Sequence, residues 1–342
     1  GVILSAGFAQ DNVFGSGKSF SVEVNTSKSM RTYAVSLGEP YITPEGISRH
    51  IDLYDRRVDL DELDVSNVAY ETIGAGLSFG IPVTELDRVF LGARLEQTQV
   101  DLRGSRTGAI AGDSDNNSPE RYWNYVDQYG DSPKAALLTL GWSRDSRDNV
   151  LAPTRGRYQR VSAEFALPVW DQRYYRATYQ LTQYFPLSKA WTLGMNFQFG
   201  YGDTYGDKMF PFFKNFYAGG IGSVRGFETS SIGPRDTNDD RLGGDRQLIF
   251  SAELLTPLPG ADRTLRGLLF FDAGTVWGYE RVLGTHSYER QDMDFGELRY
   301  SVGFGVAWIS PLGPLKFSLA FPLNKKDSDD VQRFQFQIGT GF

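Results

Sequence analysis

The sequence predicts an all-β protein, a transmembrane antiparallel β-barrel, and two observations support this prediction. First, large apolar residues alternate with small or polar residues along many segments; in 191–199 every second residue is Trp, Leu, Met or Phe. Successive side chains of a strand point to opposite faces, so each segment has one apolar face. Second, many segments run for about ten residues, near the ~9–11 that cross a bilayer at a tilt, whereas soluble strands average ~5–6.

Aromatic residues at the ends of the predicted strands favour the same fold. In a membrane barrel, such residues form girdles at the two membrane–water interfaces. The candidates are Trp142, Tyr158, Trp191, Tyr201, Trp277 and Trp308. A soluble β-sandwich also alternates and remains the alternative fold.

The alternating segments add up to about fifteen strands, and their connections are uneven in length. Short turns are predicted near 11–17, 40–46, 81–87, 186–190 and 310–314, and long loops near 99–133, 203–245 and 278–297. Bacterial outer-membrane barrels have short turns on the periplasmic side, long loops outside and an even number of strands. We therefore expect sixteen strands in the intact protein, the first of them missing here. The predicted strands begin near residues 2, 18, 30, 47, 66, 88, 134, 157, 174, 191, 246, 266, 298, 315 and 333.

The composition argues against several classes of function. The 342 residues include 35 basic and 42 acidic ones, so the net charge of −7 does not favour nucleic-acid binding. Cysteine is absent, which excludes disulfides, thiolate metal sites and cysteine nucleophiles. The two histidines, His50 and His286, are far apart in the sequence, so a His-centred catalytic or metal site has little to build on. We expect no enzyme, no cofactor and no metal.

The predicted loop at 203–245 contains the most informative motif. It includes Val224, Arg225, Gly226 and Phe227, preceded by a run rich in glycine and aromatic residues. Loops of this length in compact folds are usually functional or disordered, and glycines and aromatics around a single Arg do not fit disorder. The motif therefore predicts a structured, functional loop.

The motif resembles that of the sixth extracellular loop in the BamA family of outer-membrane protein assembly factors. This family belongs to a superfamily of insertases and two-partner secretion transporters, in which the loop folds back into the barrel lumen. Other segments match in the same order, over nearly the whole chain: 11–17, 40–46, 153–156, 215–220, 253–257, 272–277 and 310–314. The resemblance implies that residues 1–342 form a C-terminal barrel domain, with the first strand and the N-terminal periplasmic domains absent from this chain.

Two carboxylates are candidate partners of Arg225. Glu253 lies on the non-apolar face of the strand 246–256, and Asp272 on the non-apolar face of the strand 266–277, so both point into the lumen. The resemblance implies that Arg225 reaches both, and an Arg fork can bridge two carboxylates with charge-assisted hydrogen bonds. The alternative is that Arg225 is a solvated loop residue and the acids line a wet lumen.

The C-terminus carries the second predicted site. One face of its last segment is apolar and ends in an aromatic residue, which resembles an outer-membrane targeting signal. Gly339 matches a family glycine associated with a kink, and glycine weakens a strand. We therefore expect a poorly paired lateral seam against the first strand, although an ordinary last strand is the alternative. The residues of this site are Phe334, Phe336, Ile338, Gly339, Gly341 and Phe342.

The resemblance implies an insertase in the outer membrane of a Gram-negative bacterium, which folds client barrels through a lateral gate between the first and last strands. The implied partners are unfolded outer-membrane proteins, lipoproteins of the BAM complex bound through the periplasmic domains, membrane lipids and lipopolysaccharide, with no nucleic acid. The alternatives are a two-partner secretion transporter exporting a passenger through the lumen, a passive porin and a barrel enzyme.

Overall fold

A computed structural model describes most of the chain. The described residues are 4–111, 117–206, 208–236, 239–258, 264–278, 280–282, 288–290, 292–310 and 313–338. His286 and the C-terminal Gly339, Gly341 and Phe342, which the sequence analysis singled out, lie outside these ranges.

Fifteen strands of the described chain form one sheet, in which every neighbouring pair is antiparallel and follows chain order. We number these strands β1 to β15. Their bounds are Leu4–Gln10, Ser19–Thr26, Met30–Glu39, Ser48–Asp59, Val68–Pro82, Asp87–Leu102, Lys134–Asp145, Gly156–Ala166, Tyr174–Pro186, Thr192–Thr204, Arg246–Pro257, Leu265–Trp277, Arg299–Ser310, Gly313–Pro322 and Phe334–Ile338.

The outer face of the sheet is apolar, as the alternation predicts. Paired residues of neighbouring strands share a face, so a row of partners can be followed across the sheet. One such row crosses β9 to β15 without a polar residue: Phe185, Leu193, Leu254, Leu269, Phe304, Leu319 and Phe334. Leu269 and Phe304 are 54% and 51% exposed, which is the arrangement that a lipid-facing surface requires.

The opposite face of the sheet surrounds the long connection between β10 and β11, residues 205–245, which we call the lumen loop. The loop contacts β5 where Phe212 meets Tyr70. It contacts β9 where the guanidinium of Arg176 lies 4.0 Å from the ring centre of Phe216. It also contacts β15 through Phe227, whose carbonyl accepts a hydrogen bond from Gln335. One segment reaches inward faces this far apart in the sheet order because the sheet curls around it as a barrel.

The connection between β6 and β7, predicted from the sequence as a long loop near 99–133, contains two helices. These are α1 (Arg106–Ala111) and α2 (Glu120–Tyr129). The rings of Tyr122 and Phe212 stack with centroids 4.1 Å apart, so α2 is held by tertiary packing on the lumen loop. None of the helices in the described ranges is long and apolar enough to span a membrane.

β1 and β15 are the two edge strands of the sheet. Among the described residues, β1 pairs only with β2, and β15 pairs only with β14 along residues 315–319. The outer edge of β15 therefore has no strand partner in this part of the chain.

Candidate functional site: the anchored lumen loop and the seam

Arg225 anchors the lumen loop to the barrel wall and is only 2% exposed to solvent. Its guanidinium donates hydrogen bonds to both carboxylate oxygens of Asp272, at 2.6 Å from Nε and 2.7 Å from Nη2. Nη1 donates to Oε1 of Glu253 at 2.6 Å, and Nη2 also donates to Oγ of Ser251 at 3.1 Å. Burial lowers the pKa of Arg225, but the two carboxylates outweigh burial and raise it above its usual value. The guanidinium is thus a permanent cation.

Asp272 and Glu253 also accept hydrogen bonds from residues other than Arg225. Ser251 on β11 donates to Oδ1 of Asp272 on β12 at 2.7 Å, and Asp272 is fully buried. Lys316 on β14 donates to Oε1 of Glu253 at 2.7 Å. The network therefore joins the loop to three strands. Removing one partner of a buried pair leaves an uncompensated charge, at a cost of about 3–5 kcal/mol.

Apolar packing fixes the loop beside this network. The ring centre of Phe270 lies 3.6 Å from Cζ of Arg225, within cation–π range. Val224 is fully buried and lies over Gly274 of β12, where an added Cβ would come within 2.8 Å of the valine side chain. Gly274 thus provides the space that lets the loop lie flat on the wall.

The remaining motif residues face the last hairpin. Gly226 has φ +91°, and a Cβ there would meet Cβ of Ala320 at 3.1 Å and Pro322 at 3.2 Å on β14. Glycine is the residue that adopts this conformation and this approach at little cost. Phe227 is fully buried, and residues 226–227 pair as a short antiparallel ladder with residues 331–332, directly before β15.

A second ion cluster holds the start of the lumen loop on a different part of the wall. Nζ of Lys214 lies 3.2 Å from Oε2 of Glu96 on β6 and 3.1 Å from Oε1 of Glu164 on β8. Tyr54 donates to Glu96 at 2.6 Å, and Tyr174 donates to Glu164 at 2.5 Å. Lys214 and Arg225 therefore bind the lumen loop to two separate parts of the wall.

The structure brings most of the sequence-predicted residues together. Arg225 meets Glu253 and Asp272, and Val224, Gly226 and Phe227 pack around it. Phe334, Phe336 and Ile338 are 58%, 61% and 67% exposed on the outward face of β15. The predicted Gly339, Gly341 and Phe342 lie outside the described residues.

Sequence reasoning missed two polar members of the Arg225 network and the whole Lys214 cluster. Ser251 and Lys316 lie on the inward faces of their strands, so the period-two alternation could have identified them as lumen residues. Lys214 carried no such signal, because its partner Glu96 is 118 residues away in the chain.

Comparison with known proteins agrees with this architecture. The BamA outer-membrane protein assembly factor of Neisseria meningitidis serogroup B is 40% identical over 373 aligned residues, covering all of this chain and 45% of that protein. The chain thus spans less than half the length of this relative. The crystal structure of Haemophilus ducreyi BamA lacking POTRA domains 1–3 superposes with a TM-score of 0.79 at 26% identity, covering 98% of this chain and 66% of that one.

A more distant structure shares the fold alone. CdiB from Acinetobacter baumannii superposes with a TM-score of 0.56 at 15% identity, over 98% of this chain and 55% of that one. The predicted fold class, a transmembrane antiparallel β-barrel, is confirmed by the fifteen-stranded sheet and its likeness to the BamA barrel. The Omp85 superfamily domain matches residues 12–342, and the chain therefore belongs to the Omp85 superfamily.

Proposed function

We propose that this chain is the barrel of an outer-membrane protein insertase, which folds client β-barrels through a lateral seam beside its last strand. The observation that carries the proposal is the outer edge of β15. This edge has no strand partner among the described residues.

The mechanism uses main-chain hydrogen bonding rather than covalent chemistry. An unpaired backbone group in lipid costs several kcal/mol, so a client strand cannot enter the membrane with both edges open. An exposed edge offers N–H and C=O groups that the incoming strand can pair with, as in β-augmentation. Pairing with the edge removes the penalty one residue at a time.

The setting of this activity is part of the proposal. We place the barrel in the outer membrane of a Gram-negative bacterium, where the apolar rows of its outer face contact lipid and lipopolysaccharide. Its substrates are unfolded outer-membrane proteins. Residues 1–342 act as a C-terminal barrel domain, whose first strand and periplasmic domains belong to the whole protein, and those domains recruit lipoproteins of the assembly complex. The relatives are named for assembly, so we assign no enzymatic step and no cofactor.

The seam is tested by crosslinking. Residues 1–342 contain no cysteine, so thiols engineered into the barrel react without background from the barrel itself. In the full-length protein, we place one cysteine at Gln337 of β15 and a second on the strand that faces it across the seam. Locking this pair with a thiol crosslinker should stop insertion of a client barrel into proteoliposomes, and reductive release of a disulfide-containing linker should restore it.

A matched control joins two strands away from the seam. Leu91 of β6 pairs with Leu140 of β7, so a Leu91→Cys, Leu140→Cys crosslink adds a link in the middle of the sheet without touching β15 or its partner β14. This control should insert clients at the uncrosslinked rate. Normal insertion by the seam-locked protein would overturn the proposal.

The second candidate is export of a passenger through the lumen, the alternative that the superfamily resemblance leaves open. A passenger would have to displace the lumen loop from the ion clusters of Lys214 and Arg225. Transport in the seam-locked barrel distinguishes the two candidates, because export does not need the seam to open.

A further inference from the structure

The lumen loop extends to the chain that leads into β15. Beyond the ladder formed by residues 226–227 and 331–332, the backbone N–H of Glu228 donates to the carbonyl of Asp330 at 2.9 Å. The loop therefore serves as a strand partner for the segment immediately before the seam strand.

Charged side chains reinforce this backbone pairing with hydrogen bonds of their own. Oδ2 of Asp330 accepts a hydrogen bond from Nη2 of Arg235 at 2.7 Å and one from Nη2 of Arg241 at 2.7 Å. Arg241 is 8% exposed and also donates to Glu228 at 2.5 Å and to the carbonyl of Thr229 at 3.1 Å. Hydrogen bonds between ionised groups are the stronger kind, and this carboxylate receives two of them.

The contact continues onto β15 itself. Gln335 points into the barrel, is 5% exposed, and donates from Nε2 to the carbonyl of Phe227 at 2.7 Å. Within the described ranges β15 pairs with β14 over five residues, and the contacts of the lumen loop add to what holds the seam strand in place.

We propose that Asp330 and Gln335 are positioning residues of the seam, through which the lumen loop fixes the register and position of β15. Arg225 binds the loop to β11 and β12. Asp330, which binds the same loop through Arg235 and Arg241, thereby holds the last hairpin in place relative to those strands. The inference rests on the proposed function, because a client strand can pair in register only with an edge whose position is fixed.

The test is Asp330→Asn in the full-length protein, because it removes the charge and keeps the shape of the side chain. Backbone hydrogen exchange of residues 334–338 should rise about tenfold, while exchange in β11 and β12 stays unchanged. Client insertion should slow by about threefold or more, because a misplaced edge pairs out of register. Asp330→Glu should restore both.

The matched control is Asp327→Asn. Asp327 is an exposed acid of the same connection between β14 and β15 and has no ion pair within the described ranges, so the same charge change should alter neither measurement. Arg235→Gln removes one of the two donors and should give a smaller effect of the same sign, which provides a second measurement if Asp330→Asn fails to fold.

Unchanged exchange at 334–338 in both Asp330→Asn and Arg235→Gln would overturn the inference. A failure of the proposed function is distinguishable from this outcome. If exchange rises as expected but the seam-locked protein still inserts clients, the positioning of β15 holds and the insertase proposal falls.

Discussion

At the scale of single residues, Arg225 shows how a long loop is fixed inside a wet barrel. Its side chain donates four hydrogen bonds, to Asp272, Glu253 and Ser251. The forked guanidinium suits two carboxylates at once, whereas the ammonium of Lys acts as a point charge. A substitution by Lys keeps the charge but loses the bidentate geometry with Asp272.

A double-mutant cycle tests this pair. Arg225→Ala and Asp272→Asn should each lower the free energy of unfolding by about 3–5 kcal/mol, because each leaves a buried group without its partner. The double variant should lose less than the sum, with an interaction energy of about 0.5–3 kcal/mol. Unfolding of the barrel in detergent by urea measures all four proteins.

The control cycle combines Arg225→Ala with Glu96→Gln, which belongs to the other ion cluster. Because these two sites share no partner, their effects should add within about 0.5 kcal/mol. Additive effects in the Arg225–Asp272 cycle would show that the pair is not coupled.

At the scale of elements, the lumen loop depends on contacts to strands that are remote in sequence. Lys214 binds the wall at β6 and β8, Arg225 binds it at β11 and β12, and Phe227 reaches β15. Each contact closes a long chain segment, so the loop is ordered only when the barrel around it has formed. The sequence indicated a structured loop from its glycines and aromatics, but only the Arg225 contacts followed from the motif.

The segment of the loop near Asp240 should respond to pH. Burial, and next the nearby Asp236, raise the pKa of Asp240 from 3.8 to about 7. Between pH 3.8 and about 7, Asp240 is protonated in the folded loop and ionised in the unfolded chain. The free energy of unfolding of the loop therefore falls as the pH rises through this range and is constant above it. Protection of the amides of Arg241 and Leu242, corrected for the intrinsic exchange rate, should be greater at pH 5 than at pH 8.

Asp240→Asn should remove this dependence, since an amide has no proton to release in the range. Equal protection of the native protein at pH 5 and pH 8 would contradict the assignment to Asp240.

At the scale of the whole molecule, the two faces of one sheet have opposite chemistry. The outer face is a set of apolar rows, and the inner face binds the loop through buried ions and aromatic rings. A charge introduced on the outer face must enter lipid, while the same charge on the inner face meets polar groups and water.

This asymmetry predicts the effects of two substitutions. Phe304→Arg, near the middle of β13 on the outer face, should lower the free energy of unfolding in a bilayer by about 2–4 kcal/mol. Gln198→Arg, on the inner face of β10, should cost less. Urea unfolding in liposomes measures both, and equal costs would argue against lipid contact at Phe304.

The period-two alternation already defined the fifteen strands, their inward and outward faces and the lengths of their connections. Each of these is a local property, because the backbone alone sends neighbouring side chains to opposite faces. The tertiary structure decided where the lumen loop lies against the wall. The partners of Lys214 and Asp330 depend on how the sheet curls and on its register, and contacts between residues some 90 to 118 positions apart leave no pattern in the nearby chain.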